Sequence, residues 1–185
     1  GAGGRRRATA RPLHAAAAAE DPFEETPLDP ELTARWQAFG DLPEGTLGRG
    51  VFDMYEARAF FWPGTRHAAS PQLAQHDFVH VLSDYGTTVE SEIEVFSVIA
   101  RADEDPRSFS LLVAVLALFE SGYLDKGLGA FRADPDHLSH DPAGMGTRLG
   151  NAVARGGEVA WRFRETDGID LLAEDWFARA ADPLS

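Results

Sequence analysis

Residues 75–96, QHDFVHVLSDYGTTVESEIEVF, contain the end of one predicted helix, a short loop and the start of the next. Apolar residues at helical spacing predict that the first helix covers residues 71–83. Gly86 is predicted to end this helix in the left-handed conformation that glycine adopts readily. Thr87 and Glu90 then match a capping box, which predicts the start of a second helix. The stretch therefore predicts a helical hairpin.

Helix signals recur along the rest of the chain. Asp29 followed by Pro30 is typical of a helix start, and Thr46 is predicted to cap another helix. The run from Phe109 is apolar nearly all round, which predicts the buried central helix. Since no stretch shows a convincing strand pattern, the predicted fold is an all-α helical bundle that contains the hairpin. The predicted helices cover residues 30–39, 47–61, 71–83, 88–102, 109–122, 145–163 and 171–181.

Composition narrows the class of protein. The chain has 185 residues, 44% of them hydrophobic, and a net charge of −13. This length suits one domain, and the acidic balance argues against a nucleic-acid partner, which needs a basic face. Cysteine is absent, so disulfides and thiolate metal sites are excluded. The Ala- and Arg-rich residues 1–28 are predicted to form a solvated tail, with a transit peptide as the alternative, before a helical domain over residues 29–185.

Four side chains of the hairpin have the chemistry and spacing of metal ligands. His76 and His80 are four residues apart, so they project from one helix face. Asp77 lies beside this face, where it either completes the ligand set or orients an imidazole. Glu92, near the start of the next helix, reaches the histidines if the chain returns antiparallel. The set leaves a coordination position open and suits zinc, iron or manganese. The alternative is a solvated polar helix face.

Other polar residues have weaker patterns. Tyr85 and Asp84 lie in the loop between the predicted ligands, where they either transfer protons or only shape the loop. Arg155 is a candidate for binding a carboxylate or phosphate, with helix-end capping as the alternative. His137 and His140 form a second pair among turn residues, which we interpret as a solvated loop.

Five sequence blocks resemble one protein family. HDFVH, eleven further residues and Glu92 reproduce HDxxH-x11-E, the signature of the Coq4 family of ubiquinone (coenzyme Q) biosynthesis proteins. LPEGTLGRGVFDMY at residues 42–55 resembles the LPxGTLG block of that family, and HVLSDYG resembles its HVLTGYG loop. ARGGEVAWRF and LLAEDWFARAADPL resemble its last two blocks. The similarity covers residues 36–184 with the motif order kept. Two departures are the absence of arginines before the HD pair and Ser91 in place of the usual glycine.

The resemblance implies a mainly helical enzyme with a divalent metal at His76, Asp77, His80 and Glu92. Zinc is the first expectation, with iron and manganese as alternatives. The implied reaction is oxidative decarboxylation and hydroxylation at C1 of a polyprenylated aromatic acid. Tyr85 and Arg155 are our own candidates for binding such a substrate, chosen for their chemistry and position.

The resemblance also implies partners and a location. The expected partners are a prenylated quinone precursor, other quinone-biosynthesis enzymes and a second copy in a homodimer. The expected location is the cytoplasm, at the periphery of the inner membrane, or the mitochondrion in a eukaryote. Two alternatives stay open: a non-catalytic lipid-binding scaffold, and a Coq4-like enzyme for another aromatic substrate in secondary metabolism.

Overall fold

The described residues fold into helices joined by loops. The computed structural model describes residues 27–103, 105–121, 136, 138–162 and 175–184. Within these ranges there is no strand, and the prediction of an all-α fold is confirmed. The helices are α1 (Pro30–Gln37), a 3-10 helix (Ala38–Asp41), α2 (Leu47–Arg58), α3 (Pro71–Ala74), α4 (His76–Ser83), α5 (Val89–Ala102), α6 (Pro106–Glu120), α7 (Pro142–Arg162) and α8 (Trp176–Arg179).

The first two helices start where the capping residues predict. The Asp29 side chain accepts a hydrogen bond from the Leu32 backbone N–H at the start of α1. Thr46 precedes α2, although its hydroxyl donates to the Pro43 carbonyl instead of capping the helix. The predicted end of α2 at residue 61 is wrong, because left-handed Ala59 ends the helix earlier.

The hairpin forms, but with different boundaries from those predicted. The predicted helix over residues 71–83 is two helices, because the chain breaks at Gln75 between α3 and α4. Asp84 adopts the left-handed conformation predicted for Gly86, with a φ of 56°. Aspartate tolerates this conformation better than most residues, so glycine is not required there. Thr88 caps α5 in place of Thr87, accepting from the Ser91 backbone N–H.

The central helix is α5, so the prediction that the apolar run from Phe109 is central is wrong. All residues from Ser91 to Ile99 are buried, and α5 packs against both α6 and α7. On α6, by contrast, Phe109 is 61% exposed and Val113 is 52% exposed. An apolar sequence does not specify which helix lies innermost. Burial of Glu94 on α5 is compensated from α7, because its carboxylate accepts two hydrogen bonds from Arg148.

The later helices differ from the predictions at their ends. Helix α7 begins at Pro142, three residues before the predicted start, and Asp141 accepts from the Gly144 N–H there. Within the predicted helix over residues 171–181, the described part contains α8 from Trp176 to Arg179. The predicted tail falls mostly on residues 1–26, which lie outside the described ranges.

An aromatic cluster anchors α4 in the bundle. Phe78 packs against Trp36, with ring centroids 5.2 Å apart, and stacks on Trp176 at 5.3 Å. Phe78 lies two residues from both His76 and His80, so it points away from the helix face that carries them. The cluster therefore fixes the orientation of the histidine face. Among the described helices, none combines the length and the hydropathy that crossing a bilayer requires.

Candidate metal centre

Three predicted ligands converge in the interior of the hairpin. His76 and His80 project from α4, and Glu92 lies in the first turn of α5. The Nε2 atom of His76 lies 3.1 Å from Glu92 Oε2, and that of His80 lies 3.3 Å from Glu92 Oε1. Their ligand atoms all lie within 4.8 Å of one another. Each residue is at most 1% exposed. This buried group could hold a metal ion.

The hydrogen-bond partners of the two imidazoles indicate their tautomers. His76 Nδ1 contacts the Leu73 carbonyl oxygen, and His80 Nδ1 lies 2.7 Å from the Gly86 carbonyl oxygen. Because a carbonyl oxygen only accepts, both Nδ1 atoms must carry hydrogen and donate. The Nε2 atoms of the neutral imidazoles therefore present lone pairs towards Glu92. This is the arrangement in which protein histidines bind metals.

Two atoms of the group are buried without a hydrogen-bond partner. They are Nε2 of His80 and Oε1 of Glu92, which face each other. An uncompensated buried polar atom is costly, and two facing lone pairs repel each other. Only a proton or a cation between them makes the contact favourable. The donor set of two imidazole nitrogens and a carboxylate is one that zinc, iron and manganese accept. The residues therefore fit a divalent metal.

The neighbouring charges determine the protonation states of His76 and Glu92 when no metal is bound. Burial lowers the pKa of His76, but the carboxylates of Asp77 and Glu92 raise it more strongly, to about 9. Burial raises the pKa of Glu92, but the neighbouring imidazoles of His80 and His76 lower it overall. In the metal-free protein, His76 is therefore an imidazolium and Glu92 a carboxylate near neutral pH. A proton on His76 then takes the place of a cation.

The fourth predicted ligand, Asp77, lies beside this group of three. Its Oδ2 atom accepts a 2.5 Å hydrogen bond from the Tyr55 hydroxyl, and its Oδ1 atom lies 3.7 Å from His76 Nδ1. Burial and the Asp77 charge raise the pKa of Tyr55 well above its ordinary value. The buried Asp77 carboxylate contributes negative charge next to the imidazoles. Tyr55 has no metal-site signal in the sequence, where its spacing indicates only a core position.

The two predicted substrate-binding residues lie together at the end of α4. The Tyr85 backbone N–H donates to the His80 carbonyl oxygen, and the Arg155 guanidinium carbon lies 5.9 Å from the centre of the Tyr85 ring. Tyr85 is half-buried and Arg155 is exposed. Exposed Asp84 ends the helix, which supports the interpretation as loop structure. His140 is exposed, as expected for a solvated loop, while His137 lies outside the described residues.

Comparison with known proteins identifies no relative. No family model matches the chain, and neither the curated proteins nor the solved structures include a significant match.

Proposed function

We propose that the chain is a metal-dependent, Coq4-like enzyme of isoprenoid quinone biosynthesis. The proposed metal ligands are the Nε2 atoms of His76 and His80 and the carboxylate of Glu92. The observation that carries the proposal is the buried contact between His80 Nε2 and Glu92 Oε1, which lie 3.3 Å apart without a hydrogen bond to any described residue. The HDxxH-x11-E pattern supports the same ligands and supplies the substrate class.

Charge balance supports a divalent ion. With both imidazoles neutral, the buried carboxylates of Glu92 and Asp77 leave a net charge of about −2 in the protein interior. Buried charge of this size is unstable without compensation. In the described part of the chain, the ion-pair partner found for Asp77 is His76, and Glu92 pairs only with His76 and His80. A divalent cation supplies the missing positive charge.

The surrounding protein orients the metal ligands and excludes water from them. The carbonyl oxygens of Leu73 and Gly86 hold the imidazole N–H groups and so direct both Nε2 lone pairs inward. Burial of the ligands excludes water and strengthens each electrostatic interaction. A bound divalent ion would supply Lewis-acid polarisation of a ring oxygen or carboxylate and, if it is iron, electron transfer to dioxygen.

The proposed overall reaction takes place at C1 of a polyprenylated aromatic acid. The bond between C1 and the carboxyl carbon breaks, and the carboxyl group leaves as carbon dioxide. One oxygen atom of dioxygen forms the new hydroxyl at C1. The other leaves as water, with two electrons and two protons from an external two-electron reductant. Arg155 and Tyr85 are the proposed contacts for the polar head, since a guanidinium pairs with a carboxylate.

Carbon dioxide release tests this function. Protein loaded separately with zinc, iron or manganese is incubated under air with ascorbate and a prenylated 4-hydroxybenzoate-type acid. The expected result is release of carbon dioxide with formation of the C1-hydroxylated product. Release should be lost in Glu92→Gln and kept in His140→Ala, which alters an exposed histidine.

The same experiment distinguishes the alternatives. Absence of release from every metal-loaded form would refute the decarboxylase. Prenyl lipid extracted with such an inactive protein and identified by mass spectrometry would then indicate a lipid-binding scaffold. Absence of lipid together with turnover of a non-prenylated aromatic acid would indicate a different aromatic substrate.

A further inference from the structure

Helix α2 contacts the start of the helix that carries the histidines and the loop that follows this helix. Tyr55 donates a 2.5 Å hydrogen bond to Asp77, which follows His76 in the chain. One turn later, Arg58 Nε donates a 2.6 Å hydrogen bond to Thr87 Oγ1. Residues three apart share one face of a helix, so a single face of α2 makes both contacts.

The Tyr55 contact restrains the carboxylate beside His76. Asp77 is fully buried, and its Oδ1 atom has no hydrogen-bond partner, so the Tyr55 hydroxyl is its one hydrogen-bond donor among the described residues. A buried carboxylate that loses its donor turns towards another one. The N–H at His76 Nδ1, 3.7 Å away, is within reach of a small rotation. Asp77 would then compete with the Leu73 carbonyl for this N–H and turn the imidazole.

The Arg58 contact restrains the loop that orients His80. Thr87 is buried and follows Gly86, whose carbonyl oxygen accepts from His80 Nδ1 at 2.7 Å. The direction of the His80 Nε2 lone pair therefore depends on the position of one loop carbonyl. Arg58 holds the adjacent residue by its side chain. Loss of this contact frees the loop and, with it, the imidazole.

We propose that Tyr55 and Arg58 are positioning residues for the metal site. Each acts on a different histidine, so α2 sets the geometry of the ligand pair from outside it. The inference rests on the proposed metal site at His76, His80 and Glu92. Residues that orient metal ligands typically contribute about 10- to 100-fold in metal affinity. We expect the loss of either contact to weaken metal affinity by a factor in this range.

Metal affinity and the cobalt spectrum test the inference. Tyr55→Phe removes only the hydroxyl, and Arg58→Met keeps the aliphatic part of the side chain while removing the donor. Zinc affinity is measured by competition with a chelator, and the visible absorption of the cobalt-loaded protein reports the ligand geometry. Both variants should bind zinc about 10- to 100-fold more weakly and show a changed cobalt spectrum.

The control is Ser108→Ala. It removes a buried hydroxyl from α6, a helix that carries none of the proposed ligands, so it should leave affinity and spectrum unchanged. That hydroxyl donates to the Asp103 carboxylate. A purely structural role would lower the stability of the metal-free variants without changing either measurement. Wild-type affinity in Tyr55→Phe or in Arg58→Met overturns the inference. Arg58 is only half-buried, so Arg58→Met still tests the inference if Tyr55→Phe does not fold. Absence of metal binding by the wild type would instead refute the proposed function.

Discussion

The metal-free protein should lose stability as the pH rises through about 9. The group responsible is His76, whose pKa is raised from 6.5 to about 9 in the folded chain, since Asp77 and Glu92 outweigh the effect of burial. A group with a raised folded pKa contributes stability that is fully present below its unfolded value. This contribution disappears as the pH rises through the folded value. The interval between 6.5 and about 9 corresponds to about 3 kcal/mol.

Glu92 has the opposite dependence. Its pKa in the folded chain is below the ordinary 4.5, because the imidazoles outweigh the effect of burial. Its contribution is present above 4.5 and is lost as the pH falls through the folded pKa. The pair therefore stabilises the metal-free protein most between about pH 4.5 and 6.5. Zinc at the proposed site would replace the proton on His76, so zinc-loaded protein should not lose this contribution at high pH. The apparent zinc affinity should rise about tenfold per pH unit up to about 9.

Urea unfolding, followed by circular dichroism from about pH 6 to about pH 10, measures these contributions. Chelator-treated wild type should lose about 3 kcal/mol relative to His76→Gln over this range. His140→Gln, which alters an exposed histidine, should follow the wild type. If the wild type and His76→Gln change in parallel to within about 1 kcal/mol, the assigned ion pair is wrong.

Two further predictions concern packing, and urea midpoints of matched variants check both. Gly156→Ala should destabilise the protein by about 1–3 kcal/mol, because its Cβ would lie 2.7 Å from the Val98 carbonyl oxygen. At Gly157 the added Cβ would lie no closer than 3.6 Å to a neighbouring atom, so Gly157→Ala should be neutral or stabilising by up to about 1 kcal/mol. Equal losses of stability at both glycines would contradict the close approach of α7 to α5. On α6, buried Leu112→Ala should cost about 2–5 kcal/mol and half-exposed Val113→Ala less than about 0.5 kcal/mol. A large loss at Val113 would support the central position predicted from the sequence.

Local signals in the sequence predict the hairpin well because they act over a few residues. Asp29 caps α1 as predicted, and Thr88 caps α5 one residue after the predicted Thr87. The exact end of α4 was not predictable in this way. Several residues near it tolerate the left-handed conformation, and the structure uses Asp84, which leaves the Gly86 carbonyl free to accept from His80.

Long-range arrangement was predicted less well. The apolar run of α6 indicated burial, whereas α5 is the central helix, and its buried Glu94 forms an ion pair with Arg148 of α7. Sequence spacing does not show such a partner 54 residues away. The proposed ligands were predictable because His76 and His80 share a helix face. The role of Tyr55 was not, because its partner Asp77 lies 22 residues away and its own spacing matches a core residue.

The metal content of the purified protein shows whether His76, His80 and Glu92 hold an ion. Wild type, His80→Ala and His140→Ala are purified in parallel, dialysed against zinc, iron or manganese, and measured by mass spectrometry of the elements. We expect about one tightly held ion per chain in the wild type and in His140→Ala, and little in His80→Ala, since a site of this kind needs each of its three protein ligands. If the wild type holds no more of any of these metals than His80→Ala, the metal site does not exist.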